Sequence, residues 1–313
     1  RYAQRMRIRL LAATTAAATA LALAPAASAD PAPVTGVELN QPADQVIAVE
    51  AKFDLTADQN VGMEELRKLR GAMWDQNVPF LELRGAGNTR LRDVAANYGL
   101  DTRDKYVNAI QVDTGYNLIA LQRATEAAEF MGHERPHNST CAANANCGSE
   151  ATATINGKGG YGTNLHSTSN MSRAMQGWGF GELAALKRLG GAFSADQRNL
   201  SGHLHTLINP ANTRIGFAGV VTAEGEASAA AVGSEATGVT VMPQGEQTTV
   251  LHRPANSGEK PSTTPKKLIL GGASMSEIRR IISIVLTVLT IASALVKFIE
   301  PQLRPLVDQF LRR

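Results

Sequence analysis

The chain has 313 residues, 43% hydrophobic, 5% aromatic and 19% charged, with 28 glycines and two cysteines. That composition argues against disorder, a collagen repeat or a disulfide-dense scaffold, and fits one medium domain with appendages. The formal charge of +3 sits at the ends: residues 1–29 hold four arginines and no acid, 276–313 hold six basic groups against three acidic ones, and the body at 30–275 is left at −4. A body of that sign has no electrostatic footprint for nucleic acid.

The first segment reads as an export signal. Residues 7–29 combine a basic start, an apolar Ala/Leu run, Pro25, and Ala27-Ser28-Ala29 before Asp30, the small-x-small pattern of a signal peptidase site. Met6 fits a true start. The alternative, a buried Ala-rich helix, is opposed by Pro25 and the basic flank. Residues 30–88 are expected to form an N-terminal extension packed on the main domain. Within it 46–53 has the character of a strand, and 63–74 reads as a helix with Leu66, Leu69 and Met73 on its apolar side.

The main domain is expected at 89–253. A helix is predicted over 116–131, capped by Asp113 or Thr114 and stopped at Gly132. A turn-rich stretch follows over 136–162. Two shorter helices are predicted at 169–178 and 182–189, separated by Gly179 and Gly181. The chain then turns to strands at 213–222, 237–242 and 248–253, where β-branched residues alternate. Helices followed by an antiparallel sheet predict an α+β sandwich. Cys141 and Cys147 enclose five residues; in an oxidising compartment a local disulfide is the leading reading, with two unpaired small hydrophobes as the alternative.

Residues 254–275 have linker composition, with Pro254, Pro261 and Pro265 among Ser, Thr, Gly and Lys. The tail at 276–313 contains an uncharged run of 16 residues, 281–296, between Arg280 and Lys297. As a helix it would reach roughly 24 Å at about 1.5 Å per residue. That falls short of a hydrocarbon core of about 30 Å, a gap that snorkelling by Arg280 and Lys297 would close. Ser283, Thr287 and Thr290 form a small polar stripe where another helix could approach, which suits a homo-oligomer. After Pro301 a short amphipathic helix is predicted, suited to a membrane interface or a partner helix. A membrane anchor is the expected role, and a helix packed on the body or on its copy in an oligomer is the alternative.

Six histidines occur, at 133, 137, 166, 203, 205 and 252, without HExxH, GxSxG or Walker spacing. Two have informative contexts: His133 follows a helix in GHERP, and His203 opens GHLHTLINPANTRIGFA, which leads toward a strand. Four pieces taken in order, ALQRATEAAEFMGHERP (120–136), GYGTNL (160–165), AMQGWGFGE (174–182) and GHLHTLINPANTRIGFA (202–218), make the chain resemble the CAP superfamily, the cysteine-rich secretory protein, antigen 5 and pathogenesis-related group, in its secreted bacterial form.

The resemblance implies a CAP-like α-β-α sandwich with an antiparallel central sheet, whose cleft holds two histidines and two acids and can bind a divalent metal such as zinc. Carried over, His133 and His203 match the histidines and would be the metal ligands; Glu182 matches one acid. The family's Gly-Glu-Asn reads Gly162-Thr163-Asn164 here, so Thr163 stands where the second acid belongs, with Asn164 beside it. Thr does not titrate near neutral pH and cannot act as a base. His205, two residues from His203, would share its face in an extended segment but lie nearly opposite it on a helix, so its place in the cleft is open and it is left out of the set. The expected function is an exported cell-envelope module that binds an apolar or amphiphilic ligand or a surface partner without catalysis. The alternative is a metal-assisted hydrolase of peptide or cell-wall material, with His133 and His203 as ligands and Glu182 as base.

Overall fold

The structure, a computed structural model, describes residues 35–41, 43–82, 90–137, 147–160 and 162–268. The expected export signal, Cys141 and the tail at 276–313 lie outside the described residues. Among the described residues no helix is long and apolar enough to cross a membrane.

Strand β1 (Val46–Phe53) passes directly into helix α1 (Leu55–Gln76). Asp54 makes the switch, keeping an extended backbone while its carboxylate accepts the Ala57 amide at 3.0 Å, so one orphan amide of the first turn is satisfied. Asn77 closes the helix in the left-handed region, at φ 43°. Leu66, Leu69, Met73 and Trp74 are buried along α1, which starts eight residues before the apolar periodicity that announces it. Helices α2 (Leu91–Asn97) and α3 (Arg103–Asn108) and strand β2 (Gln111–Val112) lead to α4 (Thr114–Glu129), capped by Asp113. Beyond it come β3 (Thr154–Ile155), β4 (Lys158–Gly159), β5 (Gly162–His166), α5 (Met171–Trp178), α6 (Leu183–Arg188), α7 (Gly202–Ile208), β6 (Arg214–Thr222), β7 (Glu226–Gly233) and β8 (Gln247–Pro254).

The fold is α+β, with an antiparallel sheet in the order β5-β7-β6-β1-β8 and β2 added in parallel to β6. Strand alternation feeds two cores. Ile215 and Phe217 of β6 and Ala230 and Val232 of β7 join the core with α1, α5 and α7, while Ala218, Val220, Ala227, Ala229 and Ala231 join the one with α4. Helix α4 sits so close that a Cβ at Gly216 would lie 2.0 Å from the Asn117 amide nitrogen. That approach explains why β7 reads EASAAAVG. Alanine is a poor strand former by propensity, but here only small side chains leave room for the helix.

Three features differ from the sequence expectation. Residues 46–76, expected as part of an extension, supply an inner strand of the sheet and its longest helix. Residues 237–242 form no strand. The Thr237 amide and hydroxyl instead donate to the carboxylate of Asp113, so this stretch covers the start of α4, and Gly238 at φ +76° turns it. Finally, residues 254–268 do not trail away as a linker would. β1 pairs with β6 only over 51–53, and Ser262 fills the vacant side, accepting from the Ala48 amide at 2.7 Å and donating to the Val46 carbonyl at 3.1 Å. Arg253–Glu259 and Lys267–Glu50 ion pairs hold the same segment.

Candidate functional site

His133, three residues past Phe130, which caps α4, and His203, in the first turn of α7, come together beside the edge strand β5, their rings stacked at 5.8 Å between centroids with 24° between planes. Each is held by a glutamate. His203 Nδ1 lies 2.5 Å from Glu182 Oε1, and the other oxygen of Glu182 accepts the Leu204 amide at 3.0 Å. Glu182 ends a 3-10 turn that continues into α6 and is buried, so its charge is balanced by the start of α7 and by the imidazole.

His133 Nδ1 lies 3.1 Å from Glu150 Oε2, and the same oxygen accepts the Thr163 amide at 3.2 Å. Glu150 opens a 3-10 turn capped by Ser149. The sequence reading left one acid missing at Thr163; the structure brings a carboxylate to the amide of that residue from another loop. Nothing in the sequence around Glu150 marks it, because it lies in a turn-rich stretch without periodicity. A carboxylate oxygen thus lies within hydrogen-bonding distance of Nδ1 of each ring.

Asn164, on the face of β5 opposite Thr163, donates to the His203 carbonyl at 3.1 Å and so ties α7 to the sheet. Trp178 lies 6.4 Å from the His203 ring and donates to the Leu165 carbonyl at 2.9 Å. His205 also lines the cleft, from a different part of α7: its Nε2 meets the Leu81 carbonyl at 2.8 Å and its ring stacks on Phe80 at 4.3 Å. Burial holds the His205 imidazole below its ordinary pKa, which favours the neutral ring.

The paired imidazoles open onto a cleft of about 1000 Å³. Glu150, Thr163 and Asn164 line it beside them, while Phe193, Leu200 and Val232 supply apolar wall. Phe193 is 43% exposed, unusual for a phenylalanine, and meets the His205 ring edge-on. At another point on the lining the Tyr98 hydroxyl donates to Glu82 at 2.7 Å.

Zinc of the structural or catalytic kind takes at least three protein ligands. Among the described residues no three His, Cys, Asp or Glu side chains gather in a way that would hold a metal ion. The two imidazoles by themselves make an incomplete donor set, with both Nδ1 atoms facing carboxylates. Cys147 is buried three residues before Glu150.

The chain matches no family model, and no curated protein or solved structure is significantly similar to it.

Proposed function

We propose that the protein is an exported CAP-like domain, an α-β-α sandwich, that binds an amphiphilic ligand in the cleft beside His133 and His203 without transforming it. The observation that carries this reading is the cleft itself: two stacked imidazoles lie at a polar site, and an exposed Phe193 with Leu200 offers apolar wall in the same cavity. A ligand with a hydroxyl, amine or amide head would donate to an Nε2 and lay its apolar part along that wall. In this reading residues 7–29 direct export, Cys141 and Cys147 form a local disulfide, and residues 276–313 hold the protein at a membrane and offer a helix for self-association. A surface partner would use the same face.

Native mass spectrometry of the exported protein tests it. A co-purifying amphiphile retained by the parent and lost from a His133→Ala/His203→Ala variant is expected. A parent that carries no adduct and binds neither long-chain alcohols nor long-chain amines overturns the reading.

One observation favours a second reading, hydrolysis of peptide or cell-wall material: Glu150 supplies the carboxylate that Thr163 lacks, so a His133–Glu150 pair lines the cleft beside His203, which the buried Glu182 holds from behind. Such pairs are suited to moving protons. Turnover by the purified protein that disappears in Glu150→Gln would replace the binding reading with this one.

A further inference from the structure

Away from the cleft lining, on α4 and the loop that follows it, lies a charge cluster that the site chemistry does not use. Arg123, Glu126 and Arg135 are all at most 1% exposed. Glu126 lies between the two guanidiniums, accepting from Arg123 Nη1, from Arg135 Nη2 at 2.8 Å and Nε at 3.2 Å, and from Gln122 at 2.9 Å. Such a cluster is a weak source of stability, because desolvating three charges offsets most of their attraction. Its outward contacts are more informative.

Arg123 Nη2 donates to the Gly132 carbonyl at 3.1 Å and to the His133 carbonyl at 2.8 Å. Arg135 Nη1 donates to Thr152 Oγ1 at 3.0 Å, and the Arg135 amide to the Gly148 carbonyl at 2.7 Å. Thr152 closes the 3-10 turn that Glu150 opens. One arginine therefore fixes the backbone that carries His133, the other fixes the turn that carries Glu150, and Glu126 joins the two. The two loops need such a tie, because the His133 side chain is 53% exposed and that of Glu150 28%, so neither is set by packing around it.

We infer that Glu126 is the positioning residue of the His133–Glu150 pair, acting through Arg123 on one partner and through Arg135 and Thr152 on the other. The inference rests on the proposed role of that pair in the cleft, but its geometry is read without any ligand. Glu182 and His203 lie on a separate turn and helix and make no contact with the cluster among the described residues, so they serve as an internal reference.

The test is nitrogen-15 NMR of the histidine side chains in the full chain, with signals assigned through His133→Gln and His203→Gln. Thr152→Val cuts the outer link together with the bond its hydroxyl donates to the Ser149 carbonyl at 2.7 Å, Glu126→Gln removes the hub, and Ser228→Ala removes a buried hydrogen bond elsewhere, that to the Thr168 carbonyl. Loss of the carboxylate-bonded Nδ1 signature of His133, with that of His203 retained, is expected for Thr152→Val and Glu126→Gln, and no change for Ser228→Ala. If Glu126→Gln does not fold, Arg123→Lys takes its place, since it gives up the bonds to the Gly132 and His133 carbonyls and leaves the Glu150 turn untouched. A folded Thr152→Val or Glu126→Gln protein with an unchanged His133 signal, or one that loses the carboxylate-bonded Nδ1 signature of His203 as well, overturns the inference; a small shift of the His203 signal is expected from the stacked ring alone. Ligand binding does not enter the readout, so a failed binding reading and a failed positioning role give different results.

Discussion

Glu150 meets the backbone amide of Thr163, at 3.2 Å, and not its side chain. The amide is available because β5 is an edge strand whose hydrogen-bonded partner, β7, lies on the other side. An acid delivered to an edge amide does not depend on which side chain the strand carries there, and this is how the cleft keeps a carboxylate beside His133 in spite of Thr163.

Adding a glutamate at 163 would therefore crowd the site and not repair it. Thr163→Glu places a second carboxylate next to Glu150, and like charges that close disfavour joint ionisation. A loss of about 1–2 kcal/mol at pH 7, smaller at pH 4, is expected by analogy with other like-charge pairs. Thr163→Glu/Glu150→Ala should recover much of it. Urea unfolding of the four proteins of the cycle measures the coupling, and strict additivity would show that the two positions do not share the site.

Asp58 gives a pH dependence of the opposite kind to that of a salt-bridged acid. Burial pushes its carboxyl up to about 7, although the Gly219 amide donates to it at 2.6 Å. A folded pKa above the unfolded one means the stability linked to this group is present below about pH 4 and is lost as pH rises through 7. Asp58→Asn keeps an acceptor for Gly219 and never ionises, so it should be more stable than the parent by about 2–4 kcal/mol at pH 9, with little difference at pH 4. Denaturant midpoints at the two pH values check this, and an equal effect at both would refute it.

Glu126 runs the other way. Burial opposes its charge, but Arg135 and Arg123 win and hold the carboxyl down to about 2. Its contribution is present above about pH 4.5 and is lost as pH falls through 2. Glu126→Gln leaves two buried guanidiniums without their anion and is expected to cost about 3–5 kcal/mol at neutral pH, a cost that shrinks on acidification. Thermal unfolding between pH 7 and pH 2 follows the convergence of the two proteins.

Gly216 is expected to be intolerant of any side chain. Its missing Cβ would lie 2.0 Å from both the Asn117 nitrogen and the Tyr116 carbonyl carbon, backbone atoms that cannot rotate away. Gly216→Ala should cost about 3 kcal/mol or more by forcing α4 off the sheet. Gly132→Ala, where nothing lies within 4 Å, should stay within about 0.5 kcal/mol of the parent. Comparable melting temperatures for the two variants would be inconsistent with the packing described.

Local signals show clearly in the sequence where local chemistry decides. The β-branched run over 46–53 is β1, the cap at Asp113 starts α4, and the helix predicted at 169–178 appears as α5 after an Asn170 cap. His133, Glu182, His203 and Asn164, named from short motifs, lie beside one another. What escapes the sequence is set by tertiary demand. β7 is a strand because α4 needs alanines beneath it, 237–242 is not one because Thr237 is spent on Asp113, and α7 settles as helix a segment at His203 that the sequence left open. Glu150 escapes for the same reason, since its role exists only once β5 is beside it.

The strand order has a consequence for how the protein is made. Among the described residues β5 pairs with β7 alone, and Gly162 opposes Val232, 70 residues later in the chain. When the chain emerges from its N-terminus, His133, Glu150, Glu182 and His203 are all synthesised before the strand that fixes β5 exists. The cleft therefore cannot be completed until β7 has been made, and a chain cut short before residue 226 lacks it however much of its site sequence is present.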